Sequence, residues 1–471
     1  MAVLETKANK KIAKLKIIND GLSNFDTFLA DNPNTKFVDL LISDLNGIVR
    51  GKRIEIQALK KVYEQGVNLP MSIFSMNILG ETIEECGLGL ELGEPDLTCF
   101  PIENTLFRAS WQPNNIAQLL MTMSQEDGTP FYAEPRNVLV NAYDRLKQLN
   151  LTPVVAVELE FYLFDKNRDA NGNMQAPISP KTGKRDQYTQ VYSVDTLAEY
   201  SEFLDDVNKI CNEQNVPADT AVAEYAPGQF EINLLHQADP LKACDNAILL
   251  KRIIKAVAEK HNFECTFMAK PYAKEAGSGM HVHVSMLNEE GINIFADSEN
   301  DYSQQLEFAI GGLLELMPAS MALLCPSVNS FKRFQPNCYV ADALTWGVDN
   351  RTVALRIPKS NKSATRIEHR ISGADANPYL VMSVLLNSIY HGLINKIKPV
   401  KAFTGNAIEQ EAESLPKKLP QALNLLKSDN QLVQYLGKDF TQIYATAKQV
   451  EIEQFDVNIS ELELKWYLKN A

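Results

Sequence analysis

Glu158 and Glu160 stand two residues apart in VVAVELEFYLF, Val154 to Phe164, a segment with strong strand character. Alternate residues of a strand share a face, so both carboxylates leave the same side of an otherwise apolar run. The pair would suit a solvated strand face. The flanking VVAV and FYLF argue instead for a buried strand, where two unpaired carboxylates are costly and a cation would relieve them. Glu224 and Glu231 lie in AEYAPGQFEINL, seven apart, with Pro227-Gly228 supplying a turn that lets them converge. Alone, that pattern is usually just a surface loop. Gly228 permits close approach of the backbone to a ligand.

A second group is nitrogen-rich. GSGMHVHVS, Gly277 to Ser285, places His281 and His283 on one strand face behind a Gly-Ser-Gly loop whose N–H groups suit an anion. Such a pair is more often structural than ligating, yet the chain has only six histidines and two stand here. NSFKRF carries Lys332 and Arg333, WGVDNRTVALRIP carries Arg351 and Arg356, and TRIEHR alternates Arg366, Glu368 and Arg370 on one strand face. Arginine forks match carboxylate and phosphate oxygens. Together these residues describe a site for divalent cations, phosphates and a carboxylate substrate.

The elements that must position them are legible in outline. FVDLLISDLNGIVRGKR, Phe37 to Arg53, reads as strand, turn and strand around Asn46-Gly47. Residues 60 to 115 suggest irregular β structure. Helical character begins near Pro135-Arg136, the expected domain boundary. Residues 244 to 260 are periodic as a helix, and Asn377-Pro378 opens a long apolar helix to about Leu393. This gives a basic extension at 1–20 and domains at 21–130 and 131–471. The apolar stretch Phe308 to Val328 is broken by Glu315, Pro318 and Pro326 and reads as a buried helix, not a membrane span.

Composition narrows the class. The chain has 471 residues, 45% apolar and 22% charged, with a net charge of −13 that disfavours nucleic acid as a partner. Seven scattered cysteines without a CxxC pair, and no apolar signal core near the N-terminus, point to a reduced, cytoplasmic setting. No Gly-rich phosphate loop supports an ATP-grasp ligase or kinase.

In order, these motifs and the final ANPYL resemble the glutamine synthetase family from Asp44 to Leu380. The resemblance implies an α+β fold, with an N-terminal β-grasp domain and a C-terminal catalytic domain on a curved antiparallel sheet. It implies a homo-oligomer of stacked rings, a dodecamer, with sites between subunits and Asp44 reaching a neighbour's site. It implies Glu160, Glu224 and Glu231 as ligands of one divalent ion, and Glu158, His281 and Glu368 as ligands of a second. Two or more Mg²⁺ or Mn²⁺ ions per site suit five carboxylates and an imidazole better than Zn²⁺. It further implies His283, Ser285, Arg351, Arg356 and Arg366 around ATP. Gly277, Arg333 and Arg370 would hold glutamate, and Asp44 and Arg351 would act in catalysis.

The activity so implied is ligation of the glutamate γ-carboxylate to an amine through γ-glutamyl phosphate, with ATP as co-substrate. Departures from the ammonia-using members point to the amine. Tyr339 and Val340 stand where a flap glutamate is expected, with no acidic residue before Asp342. Ala276 replaces an asparagine, and TGNAIEQEAESLP lacks the tyrosine that is adenylylated in many bacterial members. The segment Asn68 to Asp96 resembles the γ-glutamylpolyamine synthetase branch. The expected acceptor is therefore putrescine or another polyamine, in catabolism or detoxification. The alternatives are an ammonia-using glutamine synthetase and a catalytically inactive assembly protein.

Overall fold

The computed structural model describes residues 20–471 except 113–114, 298, 300 and 336–339. The basic extension, Cys338 and Tyr339 lie outside the described residues. Six strands form the first sheet: β1 Phe37–Ser43, β2 Val49–Glu55, β3 Val67–Pro70, β4 Asp96–Pro101, β5 Phe107–Arg108 and β6 Ile116–Ser124. Their order is β2-β1-β6-β4-β3, with β5 also on β6; β1 and β6 run parallel and the other pairs antiparallel. The expected turn between β1 and β2 is present at Asp44–Gly47, with Gly47 at φ 73°.

The stretch from residue 60 holds short strands, as expected, but begins with a helix, Leu59–Gln65. Leu59, Val62 and Tyr63 at i, i+3 and i+4 are all buried, and Gly66 at φ 76° ends the turn. The apolar spacing for that helix was present in the sequence.

Eight strands form the second sheet: β7 Thr152–Asp165, β8 Ala218–Ala223, β9 Gln229–Leu234, β10 Phe263–Thr266, β11 Met280–Leu287, β12 Trp346–Val348, β13 Leu355–Ile357 and β14 Ile367–His369. The order is β12-β13-β14-β11-β7-β9-β8, with β10 also on β7. All pairs are antiparallel except β12–β13. Long helices pack around it, including Pro135–Lys147, Pro240–Lys260, Gln304–Leu324 and Pro378–Asn395. The α+β architecture matches the expectation.

The helix starts follow from capping chemistry. Asp239 accepts from the Leu241 and Lys242 amides ahead of Pro240, and Asn377 accepts from the Tyr379 amide ahead of Pro378. Three of these helices meet at a buried charge: Arg136 donates to both Asp245 oxygens at 2.9 and 3.0 Å, and the Tyr379 hydroxyl donates to Asp245 at 2.6 Å. Helix Gln304–Leu324 is apolar and long enough to span a bilayer, but 78% of its most apolar window is buried inside the protein. It is a core helix, as expected. Six described cysteines are free.

Helices Gln304–Leu324 and Pro378–Asn395 approach closely through glycines. A Cβ on Gly312 would lie 2.2 Å from the Ser388 carbonyl oxygen, and one on Gly392 would lie 2.0 Å from that of Phe308. Backbone cannot yield as a side chain can. Gly312→Ala is therefore expected to cost about 2–3 kcal/mol of stability. Urea denaturation checks this as a lowered midpoint at unchanged slope.

Candidate active site

The strand register assembles the site. In one row across the sheet Arg356 of β13 faces Glu368 of β14, which faces His283 of β11. In a second row His281 of β11 faces Glu158 of β7, which faces Asn233 of β9. In a third row Glu160 of β7 faces Glu231 of β9, which faces Val222 of β8. Every charged residue of these rows lines one cavity of about 770 Å³, joined there by Glu224, Gly277, Arg333, Arg351, Arg366 and Arg370. The alternation expected for Glu158/Glu160, His281/His283 and Arg366/Glu368/Arg370 is what turns each set to a common face. The Pro227-Gly228 turn brings Glu224 to the same cavity as Glu231, with Gly228 at φ 73° and the Glu224 amide bonded to the Gln229 carbonyl.

The carboxylates are sorted by their partners. Burial raises Glu158, but hydrogen bonds from His281 and His283 outweigh it and hold the carboxyl well below its usual range. His283 Nε2 lies 2.8 Å from Glu158 Oε1, and His281 Nδ1 lies 3.4 Å from Oε2. Glu368 is likewise raised by burial yet held low by Arg370, the two histidines and Arg356. Arg356 donates to it at 2.9 Å, and Arg370 donates to its other oxygen. Among the described residues Glu231 has no such cation. Burial and the neighbouring Glu158, Glu160 and Glu224 push it up to about 9. Glu224 is pushed up to about 7 by burial and Glu160. Like charges directly opposite on a ladder repel, so the Glu160–Glu231 row is unfavourable without a cation between them.

That repulsion, with an all-oxygen-and-imidazole donor set, fits hard divalent ions. Two overlapping groups bring ligand atoms within 4.8 Å of one another: Glu158, Glu231 and His281, and Glu158, His283 and Glu368. The grouping differs from the division implied by the resemblance. His283, expected at ATP, stands with Glu158 and Glu368, and Glu158 belongs to both groups.

Arg333 is 2% exposed, donates to the Ile371 carbonyl at 2.9 Å and leaves Nε without a partner among the described residues. It is held among glycines: a Cβ on Gly277 would lie 2.7 Å from its Cγ, and one on Gly279 3.1 Å from its Nη2. A buried guanidinium with no carboxylate partner among the described residues is a ready site for an anion. Arg366 donates from Nε to His283 Nδ1 at 3.1 Å, and Arg351 donates to the Tyr192 hydroxyl at 3.3 Å.

Two predicted residues fall elsewhere. Ser285 lines an adjoining cavity of about 800 Å³ that shares Glu158, Asn233, His283 and Arg366 with the first. Asp44 is fully buried and does not line either cavity. Its Oδ1 accepts from the Asn46 and Ile48 amides, and Oδ2 accepts from Arg50 at 2.9 Å. Burial nevertheless raises its carboxyl above the usual range, against the pull of Ile48 and Arg50. Within its own chain Asp44 shapes a turn. Asn377 pins that turn by donating to the Asp44 carbonyl at 2.9 Å.

Sequence reasoning passed over Gln229 and Tyr192. Gln229 donates to Glu160 at 3.2 Å and to the Gly277 carbonyl at 3.1 Å, tying the acidic row to the glycine loop. Its place between Gly228 and Glu231 was the available signal. Tyr192 lies in a loop whose sequence carries none.

The glutamine synthetase catalytic domain model matches residues 132–467. Gamma-glutamylputrescine synthetase from Escherichia coli is 49% identical over 444 residues, 94% of each chain. Glutamate–isopropylamine ligase from Pseudomonas is 32% identical over 90% of this chain and 93% of that protein. Among solved structures, ligand-free GmaS superposes with a TM-score of 0.81 at 27% identity, covering 94% of this chain and 98% of that one.

Proposed function

The chain belongs to the glutamine synthetase family, and on that footing we propose that it joins the γ-carboxylate of glutamate to putrescine or a similar alkyl diamine in an ATP-dependent ligation. The class of reaction, glutamate–amine ligation driven by ATP, rests on the relatives named above. The diamine rests on the 49% identity with gamma-glutamylputrescine synthetase across 94% of the chain, supported by the absence of an acidic residue between Arg333 and Asp342.

The chemistry distributes over the cavity as follows. A γ-carboxylate oxygen of glutamate attacks the γ-phosphorus of ATP, the bond to the β-phosphate oxygen breaks, and ADP leaves. The amine nitrogen then attacks the acyl carbon, the carbon–oxygen bond to phosphate breaks, and the ammonium proton passes to a base. Arg333, sealed among glycines, would hold a substrate carboxylate. Arg351, Arg356 and Arg366 would neutralise phosphate oxygens. Glu158, Glu160, Glu224, Glu231, His281, His283 and Glu368 are the residues that would hold Mg²⁺ or Mn²⁺. Bound there, such ions supply further charge neutralisation to the transferred phosphoryl group. We infer that ATP extends from these arginines into the adjoining cavity at Ser285.

We place the enzyme in the cytoplasm, in keeping with the six cysteines that are free among the described residues. A homo-oligomer of stacked rings is supported by the exposed apolar residues Val457, Leu462, Leu464, Trp466 and Leu468 at the C-terminus. In this reading a part for Asp44 in proton transfer at a neighbour's site needs release of the Asn46, Ile48 and Arg50 donors that now enclose its carboxylate. A boundary before helix Pro135–Lys147 divides the catalytic domain from the β-grasp domain in this reading.

Phosphate release with glutamate, ATP and Mg²⁺ tests the proposal. Putrescine is expected to give a kcat/KM at least about tenfold above that of ammonium. Equal or better turnover with ammonium would make this an ordinary glutamine synthetase.

A further inference from the structure

Nine non-glycine residues with positive φ occur among the described residues; five are asparagine, and Tyr192 at φ 61° is the only aromatic one. Asparagine tolerates this region through its short polar side chain, whereas a bulky residue there is an outlier that its surroundings must enforce. The enforcement is visible. The Tyr192 amide donates to the carbonyl of Ala223 at 2.9 Å, the residue before Glu224. The next residue, Ser193, caps helix Val194–Glu199 by accepting from the Thr196 amide, and Thr196 in turn donates to Gln190 at 3.1 Å. Both sides of the strained residue are therefore fixed, and its side chain is aimed into the cavity.

The ring ends on chemistry. The Tyr192 hydroxyl accepts from Arg351 Nη1 at 3.3 Å, so one residue, through its amide and its hydroxyl, joins the end of β8 to an arginine expected around the ATP phosphates. Around it the cavity changes character. Most of the lining is charged, but Val191, Tyr192, Val222 and Tyr225, gathered where the Tyr192 amide meets Ala223, form an apolar margin. Val191, Tyr192 and Tyr225 are exposed there, Tyr192 at 64%. Ammonium has no carbon to place on such a surface. An alkylamine does, and burial of its methylenes lowers its free energy. Tyrosine also offers its ring face to a cation.

We propose that Tyr192 is the specificity-determining residue for the acceptor, its ring forming the wall on which the methylene chain of an alkylamine lies while its hydroxyl positions Arg351. This rests on the amine-ligase reading above and deepens it. The strain at Tyr192 is then retained for the ring's position in the cavity, not for the turn.

Three variants test it, each assayed with putrescine, with a series of n-alkylamines and with ammonium. Tyr192→Gly relieves the positive φ and removes the ring. It should melt at or above the wild-type temperature while KM for putrescine rises about tenfold and the dependence on alkyl chain length flattens. Tyr192→Phe keeps the ring and removes the hydroxyl; it should keep the putrescine KM and lower kcat with every acceptor. Tyr192→Ala should resemble the glycine variant in KM. Wild-type turnover of putrescine with unchanged KM and chain-length dependence in the glycine and alanine variants would overturn this proposal alone. An unaltered kcat for Tyr192→Phe would remove the part assigned to the hydroxyl. A wild-type enzyme that prefers ammonium would instead overturn the reading on which the proposal rests.

Discussion

Replacing Glu158 with alanine is expected to lower kcat by about 10³-fold with any amine, the largest loss from a single carboxylate in the cavity. Glu158 is the only residue common to both potential cation groups, Glu158/Glu231/His281 and Glu158/His283/Glu368. It also accepts from both histidines, so its removal frees two imidazoles as well as deleting a ligand. A residue serving one ion should lose less and be partly rescued by more metal, because the second group stays whole. Glu158→Ala should resist rescue by Mn²⁺, while Glu368→Ala, in one group only, should recover at least tenfold as Mn²⁺ is raised. Steady-state phosphate release across a metal titration separates these cases, with circular dichroism confirming the fold. Equal rescue of both variants would mean that Glu158 is not the shared ligand.

How much of this was legible depended on whether the deciding interaction was local. Face sharing at Glu158/Glu160, His281/His283 and Arg366/Glu368/Arg370 follows from a two-residue period, and the structure places each set on one face. The helix start at Pro378 was legible from Asn377, whereas the helix expected over 244–260 starts earlier, at Pro240, where Asp239 caps it. Which strands are neighbours does not follow from either pattern. The sequence separates Glu158 from His281 by 123 residues, and only the β7–β11 ladder makes them partners. The regrouping of His283 with Glu158 and Glu368 arises the same way, from β11 lying between β7 and β14. Tyr192 was hidden for a different reason. Its function depends on a backbone dihedral and on a phenol reaching Arg351, 159 residues away, and neither leaves a composition or periodicity signal. Asp44 shows the reverse case. The motif was readable, but in the folded chain its oxygens are consumed by the Asn46, Ile48 and Arg50 donors.

The metal-free protein should lose stability as pH rises from about 5 to about 9, and Glu231→Gln should abolish much of that loss. The sign follows from the proton count. In the folded chain, burial and three neighbouring glutamates push Glu231 up to about 9, above its ordinary value of 4.5. Between those values the folded state keeps a proton that the unfolded chain releases, so stability falls as pH rises. Glu224, pushed up to about 7, adds in the same direction over a narrower window. A neutral glutamine cannot contribute repulsion, so the metal-free variant should exceed metal-free wild type by about 2 kcal/mol at pH 8. Saturating Mg²⁺ or Mn²⁺ should stabilise wild type strongly and the variant little, since an ion that binds only the folded site adds stability by mass action. Activity should move the opposite way, with kcat of Glu231→Gln about 100-fold lower. Thermal melts of chelator-treated protein from pH 6 to 9, with and without added metal, read all of this in one series. Coincident melting curves for wild type and variant would show that the Glu160–Glu231 row carries no repulsion for a cation to relieve, and with it would go the physical basis for placing an ion there.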